Sequence, residues 1–309
     1  MKKVLIATEK PFAEVAVNGI KDILEKAGYE TVLLEKYASP AELYAAVADA
    51  DADALIVRSD KVTGEVIAAA PKLKIVVRAG AGYDNLDLAA CSAKGIVAMN
   101  TPGQNSNAVA ELALGMMIFM ARNGLQPGTG SELKGKKLGI HAYGNVGRLV
   151  AMLGKGFGMD VYAHDPFVAP EAIKKDGVTP VADVNELYAN CRYVSLHIPA
   201  TEQTKKSIGY DLLSSMPKGG TLVNTARKEV IDEEGMLKAM MERNDLKYAS
   251  DIAPDALAKF QDSVGSRIFA TSKKMGAETA EANINAGLAA AQQIVDFFEK
   301  GDKKFRVNK

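Results

Sequence analysis

The chain has 309 residues, as many Lys+Arg as Asp+Glu, and 48% hydrophobic residues. That length predicts two domains with sizeable cores, and balanced charge with no like-charge block of five or more argues against a nucleic-acid or membrane surface. No stretch approaches the ~20 apolar residues of a membrane helix. The basic and then apolar start, MKKVLIATEKPF, is too short for a signal peptide. Two cysteines, Cys91 and Cys191, suggest neither a disulfide framework nor a metal site, so a reducing, cytoplasmic setting is expected.

Apolar runs and helical spacing alternate from the start. They predict strands at 3–7, 30–34, 54–57, 74–78 and 96–99, with helices over 12–27, 40–48, 63–70 and 86–94 between them. Such alternation implies a parallel sheet covered on both faces. A long apolar helix over 105–122 leads to a polar, turn-rich linker at 123–136. A second βα series runs from 137 to about 276, with strands at 138–140, 161–163, 193–196, 221–224, 248–250 and 268–270. An alanine-rich helix over 279–300 is expected to cross back and complete the first domain. The fold class is therefore α/β, with two doubly wound parallel-sheet domains. Residues 100–278 read as a Rossmann dinucleotide-binding domain. Residues 1–99 with 279–309 read as a discontinuous, flavodoxin-like substrate domain, with a cleft between the two.

The informative stretch is 138–165, LGIHAYGNVGRLVAMLGKGFGMDVYAHD. A short strand meets a tight turn, Ala142-Tyr143-Gly144-Asn145-Val146-Gly147, then a helix and a second strand ending near Asp165. This is the order of a mononucleotide-binding βαβ unit, although Ala142 stands where the fingerprint has its first glycine. Gly144 lets the backbone approach a pyrophosphate, and Gly147 lets helix and strand pack closely. The helix N-terminus offers free N–H groups and a positive dipole end to the phosphates. Asp165 can accept both ribose hydroxyls and would repel a 2′-phosphate, and no Arg or Lys follows within eight residues, which favours NAD over NADP.

Ligands of open α/β sheets bind at the carboxyl ends of strands. That rule selects Arg58-Ser59, the loop 80–85, Asn105-Ser106, the turn 142–147, Asp165, His197-Ile198-Pro199, Thr225-Ala226-Arg227, Asp251 and Lys274. Together these positions resemble the D-2-hydroxyacid dehydrogenases. The matching pieces are VRSDKVT (57–63), APKLKIVVRAGAGYDNLDL (70–88), GIVAMNTPGQNSNAVAELALG (95–115), LKGKKLGIHAYGNVGR (133–148), VSLHIPATEQT (194–204), LVNTARKEVIDE (222–233) and MGAETAEAN (275–283). The resemblance covers nearly the whole chain.

The resemblance implies that Arg227 grips the substrate carboxylate and carbonyl through its planar fork of donors and polarises the C2 oxygen. It places Asp251 near the nicotinamide carboxamide. Tyr143, Gly144, Asn145, Val146, Gly147, Asp165, His197, Pro199, Thr204, Thr225, Ala226, Arg227 and Gly276 fall to the cofactor side. Arg58, Ser59, Arg78, Ala81, Gly82 and Asn105 fall to the substrate side, with Lys61 a further candidate. Most of the family has a histidine before the Ile-Gly of its TPHIG motif, oriented by a glutamate. Here that stretch reads Thr271-Ser272-Lys273-Lys274-Met275-Gly276, and no glutamate stands at the family's position after Asp251. Asp255 is the nearest carboxylate along the chain.

Lys274 is accordingly expected to be the acid/base, as in those members of the family that carry lysine there. Burial and the neighbouring Arg227 should lower its pKa from ~10.4. The implied reaction is NAD-dependent oxidation of a phosphorylated 2-hydroxy acid, D-3-phosphoglycerate, to 3-phosphohydroxypyruvate, the entry to serine synthesis. A hydroxypyruvate or glyoxylate reductase is the alternative, followed by a non-catalytic NAD-sensing protein resembling corepressors on this fold. A homodimer is expected, with a smaller or differently built interface because 123–136 is shorter than the family's clasping arm. No C-terminal regulatory domain, and hence no serine feedback through one, is expected.

Overall fold

The computed structural model describes residues 1–308. The chain divides into two compact units: unit 1 holds Met1–Asn105 and the chain from Glu278 onward, and unit 2 holds Ser106–Ala277.

Unit 1 begins with β1 (Lys3–Thr8), α1 (Glu14–Lys26), β2 (Glu30–Glu35), α2 (Pro40–Ala50), β3 (Ala54–Val57), α3 (Gly64–Ala69), β4 (Ile75–Arg78), α4 (Leu88–Ala93) and β5 (Val97–Asn100). The five strands pair in parallel in the order β2-β1-β3-β4-β5. β3 and β5 are buried along their whole length, as expected of strands with helices on both faces. The period-2 alternation of β1 sorts its side chains into two cores. Val4 and Ile6 pack with Ala16, Ile20 and Leu24 of α1, whereas Leu5 and Ala7 pack with Leu43 and Val47 of α2 and Val66 and Ile67 of α3. Ser39 and Glu42 form a capping box that starts α2.

Unit 2 runs α5 (Ser106–Ala121), β6 (Lys137–His141), α6 (Asn145–Gly156), β7 (Asp160–His164), α7 (Pro170–Lys175), β8 (Thr179–Pro180), α8 (Val184–Asn190), β9 (Tyr193–Leu196), α9 (Tyr210–Ser215), β10 (Thr221–Asn224), α10 (Glu233–Glu242), β11 (Lys247–Ser250), α11 (Leu257–Val264) and β12 (Ile268–Ala270). Its seven strands are parallel in the order β12-β11-β10-β9-β6-β7-β8, which reverses direction of travel between β6 and β9. One face carries α5 and α6 over Leu138, Ile140, Val161 and Val223; the other buries Val194, Leu196, Leu222 and Tyr248. Strand β8 escapes sequence reading because two residues are too few to show a period; it pairs through Tyr162↔Thr179 and Ala163↔Pro180.

The final helix, α12 (Ala280–Lys300), returns to unit 1 and packs Ala286, Ala290, Ala291, Ile294 and Val295 into the α1 core. Thr279 caps it by accepting from Ala282 N at 3.1 Å, and Gly301 ends it in the left-handed region at φ 67°. Its close approach needs Gly287, where an added Cβ would lie 2.8 Å from Ile20. Among the described residues no helix is long and apolar enough to cross a membrane, and no group of His, Cys, Asp and Glu is placed to hold a metal ion. Cys91 and Cys191 are buried, free thiols.

Candidate active site at the carboxyl edge of unit 2

The turn between β6 and α6 is built from close contacts. Ala142 adopts φ 80°, a conformation that costs an L-residue energy and that a glycine would enter freely. An added Cβ on Gly147 would lie 2.3 Å from the Ala142 carbonyl oxygen, so this position must stay bare for α6 to reach the strand. Gly144, the N-cap of α6, is the opposite case: nothing lies within 4 Å of where its Cβ would be. The first ladder bond of the helix runs from Arg148 N to Gly144 O at 3.0 Å, so the N–H groups of Asn145, Val146 and Gly147 precede the ladder.

Asp165 follows β7 and accepts Tyr143 N (2.7 Å) and Phe167 N (2.8 Å), which ties the turn to the neighbouring strand end. Tyr143 sits differently from the expectation. Its side chain is 1% exposed and donates to Asp176 at 3.1 Å, and its N–H is taken by Asp165. Its aromatic body is core, so it supports the turn from beneath.

All three histidines lie at this edge, His141 and His164 ending adjacent strands and His197 following β9. Burial pushes the His197 pKa down to about 3 and that of His141 to about 4, so both are neutral. His141 Nδ1 is 3.3 Å from the Tyr188 hydroxyl. Among the described residues, the buried Nε2 of His197 and the buried Oγ1 of Thr225 have no hydrogen-bond partner. Thr204 has its hydroxyl turned to its own loop: it donates to Pro199 O at 2.5 Å and accepts from Thr201 N at 2.7 Å. Pro199 is exposed at the start of that loop.

An open face above Gly144, helix N–H groups at the head of α6, an accepting carboxylate at the end of β7 and two orphaned polar atoms form a set of donors and acceptors suited to NAD.

Two strands along, the turn 225–227 is clamped by Asn224, the last residue of β10 and 0% exposed. Its Oδ1 accepts Ala226 N at 2.9 Å, and its Nδ2 donates to Arg227 O at 2.9 Å and Tyr248 Oη at 3.2 Å. Sequence reasoning missed Asn224. The available signal was a polar residue closing an otherwise apolar strand, TLVN. The clamp presents the Ala226 carbonyl oxygen to both cations of the site: Arg227 Nη1 donates to it at 3.0 Å and Lys274 Nζ at 2.9 Å.

Lys274 Nζ also donates to Asp251 Oδ1 (3.0 Å) and Thr225 O (3.3 Å). The side chain is 40% exposed, yet its ammonium is turned inward onto these oxygens. Its pKa is lowered, chiefly by burial and further by Arg227, against the opposing pull of Asp251. Asp251 is 0% exposed and its second oxygen accepts Gly276 N at 2.9 Å. Both of its oxygens thus face Lys274 and Gly276, not an open surface. Asp255 pairs with Lys228 and takes no part. A concavity of about 740 Å³ lies over the start of α10 between Lys206, Lys228, Glu233 and Lys259, and neither Lys274 nor Gly144 lines it.

The substrate-side residues of unit 1 are largely engaged within their own unit. Arg58 donates to Lys10 O (3.1 Å), Pro11 O (3.0 Å) and Asn283 Oδ1 (2.5 Å), and its guanidinium lies 5.2 Å from the Phe12 ring centre. Arg78 Nε donates to Arg58 O at 3.0 Å, and its guanidinium passes through the space where Gly80 has no Cβ. Asn100 Nδ2 braces the loop at Ala81 O (2.6 Å). Among the described residues no backbone or side-chain acceptor meets the N–H groups of Ala81 and Gly82. Ser59 is exposed, and Asn105 is half-buried just before α5.

Residues 95–276 match the family model for the NAD-binding domain of D-isomer specific 2-hydroxyacid dehydrogenases. The chain belongs to that family. It is 52% identical to a crystal structure of NAD+-bound 3-phosphoglycerate dehydrogenase from Entamoeba histolytica, over 100% of this chain and 99% of that one, with a TM-score of 0.88. It is 37% identical to D-3-phosphoglycerate dehydrogenase of Methanocaldococcus jannaschii over 79% of this chain and 49% of the relative. It is 35% identical to hydroxypyruvate reductase of Thermotoga maritima over 79% of this chain and 84% of the relative. The chain thus spans about half the length of the phosphoglycerate dehydrogenases among its curated relatives, 49% or 54% in the first two.

Proposed function

We propose that this protein oxidises D-3-phosphoglycerate to 3-phosphohydroxypyruvate with NAD+, a step that would open serine biosynthesis. The observation that carries the reading is the sharing of one carbonyl oxygen by Arg227 and Lys274, which sets a permanent cation beside a titratable one. The 52% identity to an NAD+-bound 3-phosphoglycerate dehydrogenase over its full length supports the choice of substrate.

NAD+, when bound, supplies the acceptor for the hydride leaving C2. Arg227 holds the substrate carboxylate through paired N–H donors and stabilises negative charge on the C2 oxygen. Lys274, as the free amine, takes the hydroxyl proton onto Nζ; in the reverse direction the ammonium returns it. Because burial lowers the Lys274 pKa, the amine is populated at a lower pH than in a free lysine, and oxidation rises towards alkaline pH as more of it loses its proton.

A phosphorylated substrate is in keeping with the 80–82 loop of unit 1, where among the described residues the N–H groups of Ala81 and Gly82 are unclaimed and Arg78 lies beside them. Reduction of hydroxypyruvate is the second reading. It is favoured by the Thermotoga relative, of which the chain covers 84%, and by the internal engagement of Arg58. Steady-state kinetics on phosphorylated and plain substrates separate the two. A preference above tenfold for the phosphorylated compound is expected, and a smaller one overturns the first reading. The protein is read as cytoplasmic, in keeping with its free thiols. It is read as a homodimer, in keeping with the exposed Leu125, Met152 and Phe157 of unit 2.

A further inference from the structure

We propose that Asp251 is the positioning residue of Lys274: its buried carboxylate fixes where the ammonium sits and supplies the counter-charge a lysine needs in a desolvated seat. This inference rests on Lys274 being the acid/base of the proposed reaction.

The geometry on which it stands has three parts. Asp251 is itself immobilised. Its backbone N donates to Asn224 O at 3.2 Å, and its Oδ2 accepts Gly276 N at 2.9 Å. Gly276 makes that second contact possible, since an added Cβ there would lie 2.7 Å from the same oxygen. Lys274 Nζ donates to Oδ1 at 3.0 Å and reaches the shared Oδ2 at 3.3 Å. The other two acceptors of the ammonium are main-chain oxygens, Thr225 and Ala226, on the turn that Asn224 clamps. An ammonium has three N–H donors, and this seat offers three groups to receive them. Only one of the three is charged.

A buried ammonium without a counter-charge is costly, and it responds by losing its proton. The charged groups that act on Lys274 are Asp251 and Glu229, which favour the ammonium, and Arg227, which favours the amine. Asp251 is the one that touches it. Where most of the family orients a histidine with a glutamate, this chain seats a lysine on an aspartate from the neighbouring strand.

The test is Asp251→Asn. An amide keeps the shape, but it can satisfy Gly276 N or Lys274 only by presenting an NH2 group to the other, and it carries no charge. The first readout needs neither cofactor nor turnover: acylation of Lys274 in the free protein, followed by mass spectrometry across a pH series. The midpoint is expected to fall by one pH unit or more. The rising alkaline limb of kcat/KM for oxidation should move to lower pH with it, while limiting kcat drops at least tenfold. A midpoint that stays in place overturns the proposal, whatever happens to kcat. If the asparagine variant does not fold, Gly276→Ala crowds the same carboxylate oxygen from the other side, and a shift of the same sign is required. The two readings fail separately. Full turnover in Lys274→Ala would remove the acid/base assignment while leaving the labelling shift intact. An inactive Lys274→Ala with an unmoved midpoint in Asp251→Asn would remove only the role given to Asp251.

Discussion

Units 1 and 2 are both parallel sheets wrapped by helices, yet they use the carboxyl edge of the sheet in different ways. In unit 1 the strand-end charges brace loops. Asp60, 5% exposed, accepts Glu9 N (2.6 Å), Arg58 N (3.0 Å) and the Tyr37 hydroxyl (2.5 Å), while Arg58 ties the 10–12 segment to α12 through Asn283. In unit 2 two cations, Arg227 and Lys274, converge on a single carbonyl oxygen with one carboxylate in contact, and His197 and Thr225 keep buried polar atoms without partners among the described residues. The same architecture gives a frame where strand-end charges are spent on neutral hydrogen-bond partners of nearby loops, and an edge where two cations stand over one carboxylate. What separates the two is a handful of side chains at the edge, not the sheet itself.

Three experiments would break or sharpen this contrast. The largest effect belongs to Lys274→Ala. Positioned proton transfer is worth about 10²–10⁴-fold in rate, so kcat for oxidation should fall by that factor at every pH, with the Tm of unit 2 little changed. Retention of activity within a few-fold would place the chemistry elsewhere.

Asp60→Asn should do the reverse in unit 1. It weakens a buried cluster of three donors, at a cost of about 1–3 kcal/mol of stability, read by denaturant unfolding, while kcat changes by less than about threefold. A large loss of kcat would show that the frame takes part in chemistry.

The third effect is the smallest and rests on the histidines, which all belong to unit 2. The folded pKa values of His141 and His197, about 4 and about 3, lie below the ~6.5 of an unfolded histidine. Between those limits the unfolded chain binds more protons than the folded one. The stability linked to these groups is therefore whole above pH ~6.5 and declines as pH falls towards 4 and then 3. Hydrogen exchange at pH 7 and pH 5 should show loss of protection in β6 and β9 first, with β1 and β3 of unit 1 less affected. Equal losses in both units would mean that the histidines do not carry the acid sensitivity.

Much of the architecture was legible because its signals are local. Strands at 54–57, 193–196, 221–224 and 268–270 agree residue for residue with β3, β9, β10 and β12, since three or four mostly apolar residues between turns leave little choice in a two-faced sheet. Most other ends differ by one or two residues, where capping decides: Thr279 lies just outside α12 because its hydroxyl caps the helix. The glycine turn and Asp165 were readable for the same reason, and so was Lys274, as a lysine standing where a motif has histidine. Tyr143 was not, because a residue in a binding turn can point either way, and here its ring is swallowed by the core. Arg58 was not either, because its three acceptors lie 47, 48 and 225 residues away along the chain.

Residue type and spacing alone were enough for the alternation of elements, the glycine turn between β6 and α6, and the lysine standing where the motif has histidine. Only the folded chain decided which carboxylate that lysine meets. Asp251 and Asp255 are four positions apart and chemically identical. Parallel pairing of β10 with β11 carries Asp251 to the buried end of a strand, beneath Lys274 and Gly276, while Asp255 lies beyond it in a surface ion pair with Lys228. Burial and reach, which no local pattern encodes, separate the two.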